Sequence, residues 1–245
     1  MNAMSQPPAR SAGDTHPGLV RSHNEDSFII DDRRRLWAVA DGMGGHAAGD
    51  EASSAIVNAL NHVRMIWNTP RALADDVIAR IEDAHHAIRR ESDRLGRGPA
   101  GATLACLTAF GPHALIAWCG DSRVYRRRGR GPLERLTRDH TMVQTLIDEG
   151  RLAEEAAESH PQAHVLTRAV GAADALALDF RQVDILSGDR FLLCSDGLTR
   201  PVPEPEIQAA LDDAAGARAG VEALLRRALD AGAPDNVTVV LVDFL

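Results

Sequence analysis

The stretch 36–52 constrains the fold more than any other part of the chain, because it joins a buried strand to a helix through a tight turn. The five consecutive apolar residues 36–40 are typical of a buried strand. Asp41 follows them, and then come glycines and small residues that allow a tight turn into a helical run over 51–60. This pattern places the Asp41 carboxylate at the mouth of a sheet.

Two interpretations of Asp41 are open at this point. A carboxylate fixed at a strand end, beside a backbone that can aim a carbonyl at the same point, suits a hard divalent cation with oxygen ligands. Asp-Gly is also a common turn pair, so Asp41 can belong to a plain Asx turn without any metal. The rest of the chain must decide between them.

Composition excludes several classes of function. The chain has 245 residues, 44% of them hydrophobic, which favours one large domain with a real core. Its net charge of -8 gives no general attraction to nucleic acid or to an anionic membrane. All 27 basic residues are arginines, so a Walker loop, a kinase phosphate-binding lysine and a Schiff-base lysine are excluded.

Hydrophobic periodicity predicts the order of the elements. We expect a flexible lead-in over 1–13, which has no signal-peptide pattern, followed by a single domain over 14–245. No apolar run approaches the roughly 20 residues of a membrane span, so we expect a cytoplasmic protein. Helices are predicted over 51–67, 71–95, 204–211 and 221–231, and strands over 27–30, 102–110, 114–119, 122–127, 177–185, 190–194 and 237–242. The polar stretch 140–169 interrupts the strands, is predicted to be mostly helical, and has the length of a functional insertion.

Four carboxylates stand at comparable places in this pattern. Asp41 and Asp196 follow apolar strands, Asp235 precedes one, and Asp121 joins two. If these turns share one edge, the carboxylates repel one another until cations or protons relieve them. Two divalent ions about 3.5–4 Å apart can hold a hydroxide and a phosphoryl oxygen, and an arginine fork can complete the binding of a phosphate. Arg21 is the candidate fork.

Eight motifs, in order, cover nearly the whole chain. They are Arg21-x-x-Asn24-Glu25-Asp26, Asp41-Gly42-Met43-Gly44-Gly45-His46, Gly101-Ala102-Thr103, Gly120-Asp121-Ser122-Arg123, Leu136-Thr137-Arg138-Asp139-His140-Thr141, His164-Val165-Leu166-Thr167-Arg168-Ala169-Val170-Gly171, Ser195-Asp196-Gly197 and Asp235-Asn236. With them the chain closely resembles the metal-dependent serine/threonine protein phosphatases of the PPM or PP2C type, in their free-standing bacterial form.

The resemblance implies an α+β fold, a four-layer α-β-β-α sandwich of two antiparallel sheets flanked by helix pairs. It also implies Mn²⁺ or Mg²⁺ as cofactor, with two ions and a third, weaker one. The 140–169 insertion would be a flap beside the active site. The resemblance implies that Asp41, the Gly42 carbonyl, Asp196 and Asp235 bind the two ions, and that Asp121 and Asp196 bind the third. Glu25 and Asp26 would hold metal-bound waters. Arg21 would bind the substrate phosphate.

The sequence departs from the animal members of the family at Met43. Those members place a histidine there as a proposed proton donor to the leaving alcohol, and methionine cannot donate a proton. His46 or a metal-bound water is therefore the candidate general acid.

We therefore predict hydrolysis of phosphoserine and phosphothreonine in proteins by a metal-bridging hydroxide, without a covalent intermediate. The expected partners are phosphorylated proteins and a cognate serine/threonine kinase, and a monomer is expected, with no nucleic acid and no membrane. Two alternatives are a metal-dependent hydrolase of small phosphate esters and a catalytically silent phosphoprotein-binding regulator. Retention of the clustered carboxylates disfavours the silent regulator, because such a cluster is costly to keep without a use.

Overall fold

Two antiparallel sheets form the centre of the protein. The computed structural model describes residues 7–44, 47–64, 69–96, 98, 100–157 and 159–245. The first sheet has the strand order β1-β11-β10-β7-β8, and the second has the order β2-β3-β5-β6-β9 with the two-residue β4 paired to β3. The strands are β1 (Ala9–His16), β2 (Asp26–Asp31), β3 (Leu36–Met43), β4 (Gly101–Ala102), β5 (Leu104–Phe110), β6 (His113–Cys119), β7 (Arg123–Arg128), β8 (Leu133–Arg135), β9 (Asp179–Asp184), β10 (Asp189–Cys194) and β11 (Val237–Phe244).

Helices cover the outer face of each sheet. The helices are α1 (Ala47–Leu60), α2 (Pro70–Leu95), α3 (Met142–Asp148), α4 (Asp196–Thr199), α5 (Glu204–Asp213) and α6 (Ala217–Asp230), with a 3-10 turn at Glu154–Ala156. One apolar cluster joins α1 and α2 to the β3 sheet, and another joins α5 and α6 to the β11 sheet. A third cluster, which includes Trp37, Phe191 and Phe244, fills the space between the sheets. The predicted α-β-β-α sandwich is confirmed.

The apolar run of strand β3 is continuous rather than alternating because both faces of the strand are buried. Leu36, Ala38 and Ala40 face the helices, whereas Trp37 and Val39 face the other sheet. Both faces of the strand are covered, so neither face selects polar residues. The run ends at Asp41, and the last three residues of the strand, Asp41 to Met43, are only half-buried.

Helix α2 has a defined residue at each end. The Thr69 side chain accepts a hydrogen bond from the Ala72 N–H (3.1 Å), and Pro70 occupies the first turn. Gly96, with φ of 60°, ends the helix in the left-handed conformation. None of the helices in the described ranges is long and apolar enough to cross a membrane.

The predicted flexible lead-in over 1–13 is wrong for residues 9–13. They belong to β1, which pairs along its whole length with β11. The strand lacks an apolar pattern because backbone hydrogen bonds hold it at the sheet edge. At Gly13 the backbone of β1 packs closely against β2 of the second sheet, since a Cβ there would lie 2.8 Å from Ile30 Cδ1.

The predicted mostly helical character of 140–169 is also wrong. In the described part of this insertion, α3 and the short 3-10 turn are followed by irregular chain. The insertion closes on itself through a bridge between Thr141 and Leu166, and Val170 bridges Ala102 beside β3. Turn residues such as Gly150 and Pro161 break the helical run after α3.

Candidate metal and phosphate site

Strands β2 and β3 bring the first two carboxylates together. Asp26 and Asp41 are direct partners in the antiparallel register. The Asp41 backbone is fixed by Thr103, whose N–H donates to the Asp41 carbonyl (2.8 Å) and whose Oγ1 accepts from the Asp41 N–H (3.1 Å). Like charges placed directly opposite one another on a ladder destabilise it. The pair therefore favours a proton or a cation between its members.

Asp121 lies in the connection from β6 to β7, where the chain passes from one sheet to the other. His140 holds this connection: the Gly120 N–H donates to His140 Nδ1 (3.1 Å), and the His140 N–H donates to the Gly120 carbonyl (2.9 Å). The His140 ring also stacks on Trp118, with centroids 6.2 Å apart. The carboxylate of Asp121, in this connection, lies close to Asp196 and Arg200.

Three of the predicted metal ligands converge on one guanidinium, that of Arg200. Its Nη2 lies 4.0 Å from Asp121 Oδ2 and makes a short contact with Asp196 Oδ2, and its Nη1 lies 3.6 Å from Asp235 Oδ2. Asp196 begins α4 and Asp235 lies just before β11, so the ends of neighbouring strands supply these groups. The predicted convergence of Asp121, Asp196 and Asp235 is present in the structure.

Burial and mutual repulsion perturb these carboxylates. Burial raises the pKa of Asp41 well above its usual range, and the charges of Asp26, Asp196, Asp121 and Asp235 raise it further. Burial raises the pKa of Asp121, and the charge of Asp196 adds to this. Burial also raises the pKa of Asp196, while the charge of Arg200 lowers it. In the absence of added cations, the cluster therefore holds protons more tightly than ordinary carboxylates do.

Asp26 has one satisfied and one unsatisfied oxygen. Its Oδ2 accepts from the Ser195 hydroxyl (2.8 Å) and the Thr238 hydroxyl (2.6 Å). Its Oδ1 is buried and has no hydrogen-bond partner among the described residues. Burial raises the pKa of Asp26 to about 7, against the two hydroxyl hydrogen bonds that lower it. A buried carboxylate oxygen without a partner is costly, and a metal-held water would satisfy it.

The backbone around Gly42 leaves no room for a side chain. The Gly42 N–H donates to the Glu25 carbonyl (3.1 Å), and a Cβ on Gly42 would lie 2.2 Å from the Gly49 carbonyl oxygen. A Cβ on Gly49 would in turn lie 2.1 Å from Glu25 Oε2. The two glycines thus let the Glu25 carboxylate lie against the first turns of α1, next to the Asp41-Gly42 backbone.

Arg21 is at the exposed rim of the same cluster. Its Nη2 donates to Asp235 Oδ2 (2.8 Å), and 58% of its side-chain surface remains accessible. The hydrogen bond to Asp235 raises the pKa of Arg21, so its charge is permanent. The predicted phosphate fork therefore lies beside the predicted metal ligands.

The residues fit a hard divalent cation in chemistry. All the converging donors are oxygens, and hard cations prefer carboxylate and carbonyl oxygens. Within the described ranges, however, no group of three or more His, Cys, Asp or Glu side chains is arranged to hold an ion as it stands. The guanidinium of Arg200 lies among three of the carboxylates instead. The roles given to Asp41, Gly42, Asp121, Asp196 and Asp235 remain predictions, and His46 lies outside the described residues.

Sequence reasoning missed three residues of the site. Arg200 follows Asp196 by four positions, the spacing of an ion pair on one helical face, and this was its only signal. Asn236 was part of a motif but had no assigned role; its side chain joins β11 to the loop that carries Arg21. His164, from the insertion, lies close enough to Asp196 to lower its pKa slightly.

Nearly the whole chain is similar to known protein phosphatases. A family model described as Protein phosphatase 2C matches residues 19–245. Serine/threonine protein phosphatase PstP of Mycobacterium tuberculosis (strain ATCC 25618 / H37Rv) is 40% identical over 243 residues, which are 96% of this chain. The chain spans only 45% of the length of that curated relative.

Two solved structures have the same fold. PppA, described as a key regulatory component of T6SS in Pseudomonas aeruginosa, superposes with a TM-score of 0.90 and 39% identity, covering 98% of this chain and 99% of that one. The catalytic domain of PstP, solved in complex with two manganese ions, has a TM-score of 0.86 and 36% identity over 96% of this chain and 97% of that one.

Proposed function

The chain belongs to the protein phosphatase 2C family, and we propose that it is a metal-dependent serine/threonine protein phosphatase. The observation that carries this proposal is the convergence of Asp121, Asp196 and Asp235 on one positively charged group, beside the paired Asp26 and Asp41. Such a carboxylate cluster is stable only around cations or protons. The two manganese ions of the PstP catalytic domain support the same kind of cofactor here.

Mn²⁺ or Mg²⁺ is the proposed cofactor. Asp41, the Gly42 carbonyl, Asp196 and Asp235 would hold two ions, and Asp121 with Asp196 would hold a third. Asp121 Oδ2 and Asp196 Oδ2 both lie against the same Arg200 nitrogen, which suits one ion between them. When bound, the ions supply the Lewis acidity that activates an attacking water and neutralises charge on the phosphoryl oxygens.

The side chains around this cofactor have separate proposed tasks. Arg21 binds the substrate phosphate through its planar fork, which matches phosphate oxygens in geometry and charge. Glu25 and Asp26 orient waters, Asp26 through the Oδ1 that has no protein partner among the described residues. His46 or a metal-bound water is the proposed proton donor to the leaving serine or threonine oxygen. The Asp26 oxygen bound by Ser195 and Thr238 stays fixed during these steps.

The proposed substrates are phosphorylated proteins, and the proposed partner is the serine/threonine kinase that produces them. The exposed position of Arg21 favours a protein substrate, because a phosphate carried on a large surface can reach it without entering a deep pocket. Hydrolysis in one step leaves the free hydroxyl side chain and inorganic phosphate.

Phosphate release from a phosphothreonine peptide tests this function. We expect release with Mn²⁺ or Mg²⁺ and none in excess chelator, and we expect Asp41→Asn to lose activity by orders of magnitude. The same assay with a nucleoside triphosphate compares the small-ester alternative. Full activity in chelator would refute the metal mechanism, faster nucleotide hydrolysis would favour the small-ester hydrolase, and metal binding without any hydrolysis would favour the silent regulator.

A further inference from the structure

Arg200 occupies an unusual place for an arginine that no motif assigned. It caps the C-terminal end of α4, where its N–H donates to the Asp196 carbonyl (2.9 Å). From there its guanidinium contacts Asp196, four positions earlier, and also Asp121 and Asp235 from two other segments of the chain. The side chain is 30% exposed, so it has an open path to solvent. Three chain segments are therefore held together by one cation.

Two neighbouring arginines do not make this set of contacts. Arg21 pairs with Asp235 and is mostly exposed. Arg123, at the start of β7, makes a bidentate pair with Asp139. In the described part of the chain, Arg200 is thus the arginine that contacts three of the four predicted acidic ligands. Without a cation at this place, the repulsion among the three carboxylates would be compensated less, because Arg21 pairs with Asp235 alone of the three.

The contact atoms decide what this arrangement means. Arg200 approaches Oδ2 of Asp121, Oδ2 of Asp196 and Oδ2 of Asp235. These oxygens belong to the carboxylates that the proposed function gives to metal ions. A divalent ion placed among these oxygens would lie against the guanidinium, and two positive groups at such short range repel each other strongly. Arg200 and the metal are therefore competitors.

We propose that Arg200 is an internal counter-cation of the carboxylate cluster, which neutralises Asp121, Asp196 and Asp235 in the metal-free protein and leaves when a divalent ion binds. This inference rests on the proposed function, since it assumes that these carboxylates bind metal. It has two linked consequences: Arg200 stabilises the metal-free fold, and it lowers the affinity for metal. If the guanidinium fills the site about nine-tenths of the time, the apparent Kd for the ion rises about tenfold.

Arg200→Gln tests both consequences, because glutamine keeps polarity and approximate length but removes the charge. Calorimetric titration with Mn²⁺ should show binding about tenfold tighter than in wild type. In excess chelator, the variant should unfold at a lower temperature than wild type. Mn²⁺ should then raise the Tm of the variant by more than it raises that of wild type, because binding and stability are linked.

Arg190→Gln is the matched control. Arg190 lies on β10 and makes a bidentate pair with Asp243 (2.6 and 2.9 Å), away from the cluster. Its loss should lower the Tm of the chelated protein but leave the affinity for Mn²⁺ unchanged. Arg200→Lys provides a second variant, in case Arg200→Gln does not fold without metal. Lysine retains the charge but not the fork that spans three carboxylates, so its affinity for Mn²⁺ should lie between those of wild type and Arg200→Gln.

The outcomes separate this inference from the proposed function. Unchanged or weaker Mn²⁺ binding by both Arg200 variants, while wild type binds normally, would overturn the inference and leave the metal centre intact. Unchanged metal affinity with a raised KM for phosphopeptide would instead make Arg200 a second phosphate-binding arginine. A wild-type protein that binds no Mn²⁺ at all would overturn the proposed metal centre, and the inference with it.

Discussion

Asn236→Asp should destabilise the protein by about 2–4 kcal/mol. Asn236 is almost fully buried, and its side chain bonds to three residues of the loop between β1 and β2. Its Nδ2 donates to the Pro17 carbonyl (3.0 Å) and the His23 carbonyl (2.8 Å), while its Oδ1 accepts from the Glu25 N–H (2.8 Å). Aspartate retains the acceptor but replaces the donor group with an oxygen that faces two carbonyl oxygens.

The magnitude follows from these contacts. Two lost hydrogen bonds of about 1 kcal/mol each, and a carboxylate oxygen placed against two carbonyl oxygens, give a loss of about 2–4 kcal/mol. For a domain of this size each kcal/mol lowers Tm by about 2–4 °C, so we expect a fall of about 4–16 °C. Since the affected loop carries Arg21, the KM for a phosphopeptide should rise as well.

Thermal unfolding in the presence and absence of Mn²⁺ measures this effect, with Asn58→Asp as control. Asn58 is exposed on α1, so the same chemical change there should alter stability by less than about 0.5 kcal/mol. If Asn236→Asp unfolds within about 2 °C of wild type, Asn236 does not hold the loop as its hydrogen bonds indicate, and the structural reasoning fails.

Three further predictions concern the site itself. Arg21→Ala should raise KM more than it lowers kcat, because the guanidinium grips the phosphate in both ground and transition states; steady-state kinetics showing the reverse would assign it to the transition state. Asp121→Asn should lower turnover while two ions still bind tightly. If wild type and variant have equal metal stoichiometry by calorimetry and equal turnover, Asp121 serves only in the turn. In excess chelator, Asp26→Asn should unfold at a higher temperature than wild type at pH 8 but not at pH 4. Burial raises the pKa of Asp26 from its ordinary value of 3.8 to about 7 in the folded protein. The wild-type fold therefore loses stability as the pH rises from 3.8 to about 7, and the variant does not. Equal pH dependence of Tm in the two proteins would contradict this last prediction.

The sequence alone predicts most of the regular structure, because burial leaves periodic signals. The strand at 36–40 and the helix over 71–95 are found as β3 and α2, since apolar faces and end residues such as Thr69 and Gly96 act locally. Strand β1 was missed because its stability comes from pairing with β11, more than 220 positions later in the chain, as with Ala9 and Phe244. The local pattern of residues in β1 does not indicate that it pairs with so distant a strand.

The residues of the site likewise fall into those that the sequence predicts and those that only the tertiary structure brings together. Sequence places Asp41, Asp196 and Asp235 at strand ends, because an apolar run with an Asp close before or after it is visible in the order of residues. Whether those ends meet depends on the sheet order β11-β10-β7, which sets neighbours that are distant in sequence. The guanidinium of Arg200 and the amide of Asn236 belong to the site because their side chains reach across those neighbours. Residue types and spacing determine the chemistry available to this protein, but the distances between oxygens and cations exist only once the two sheets have packed together.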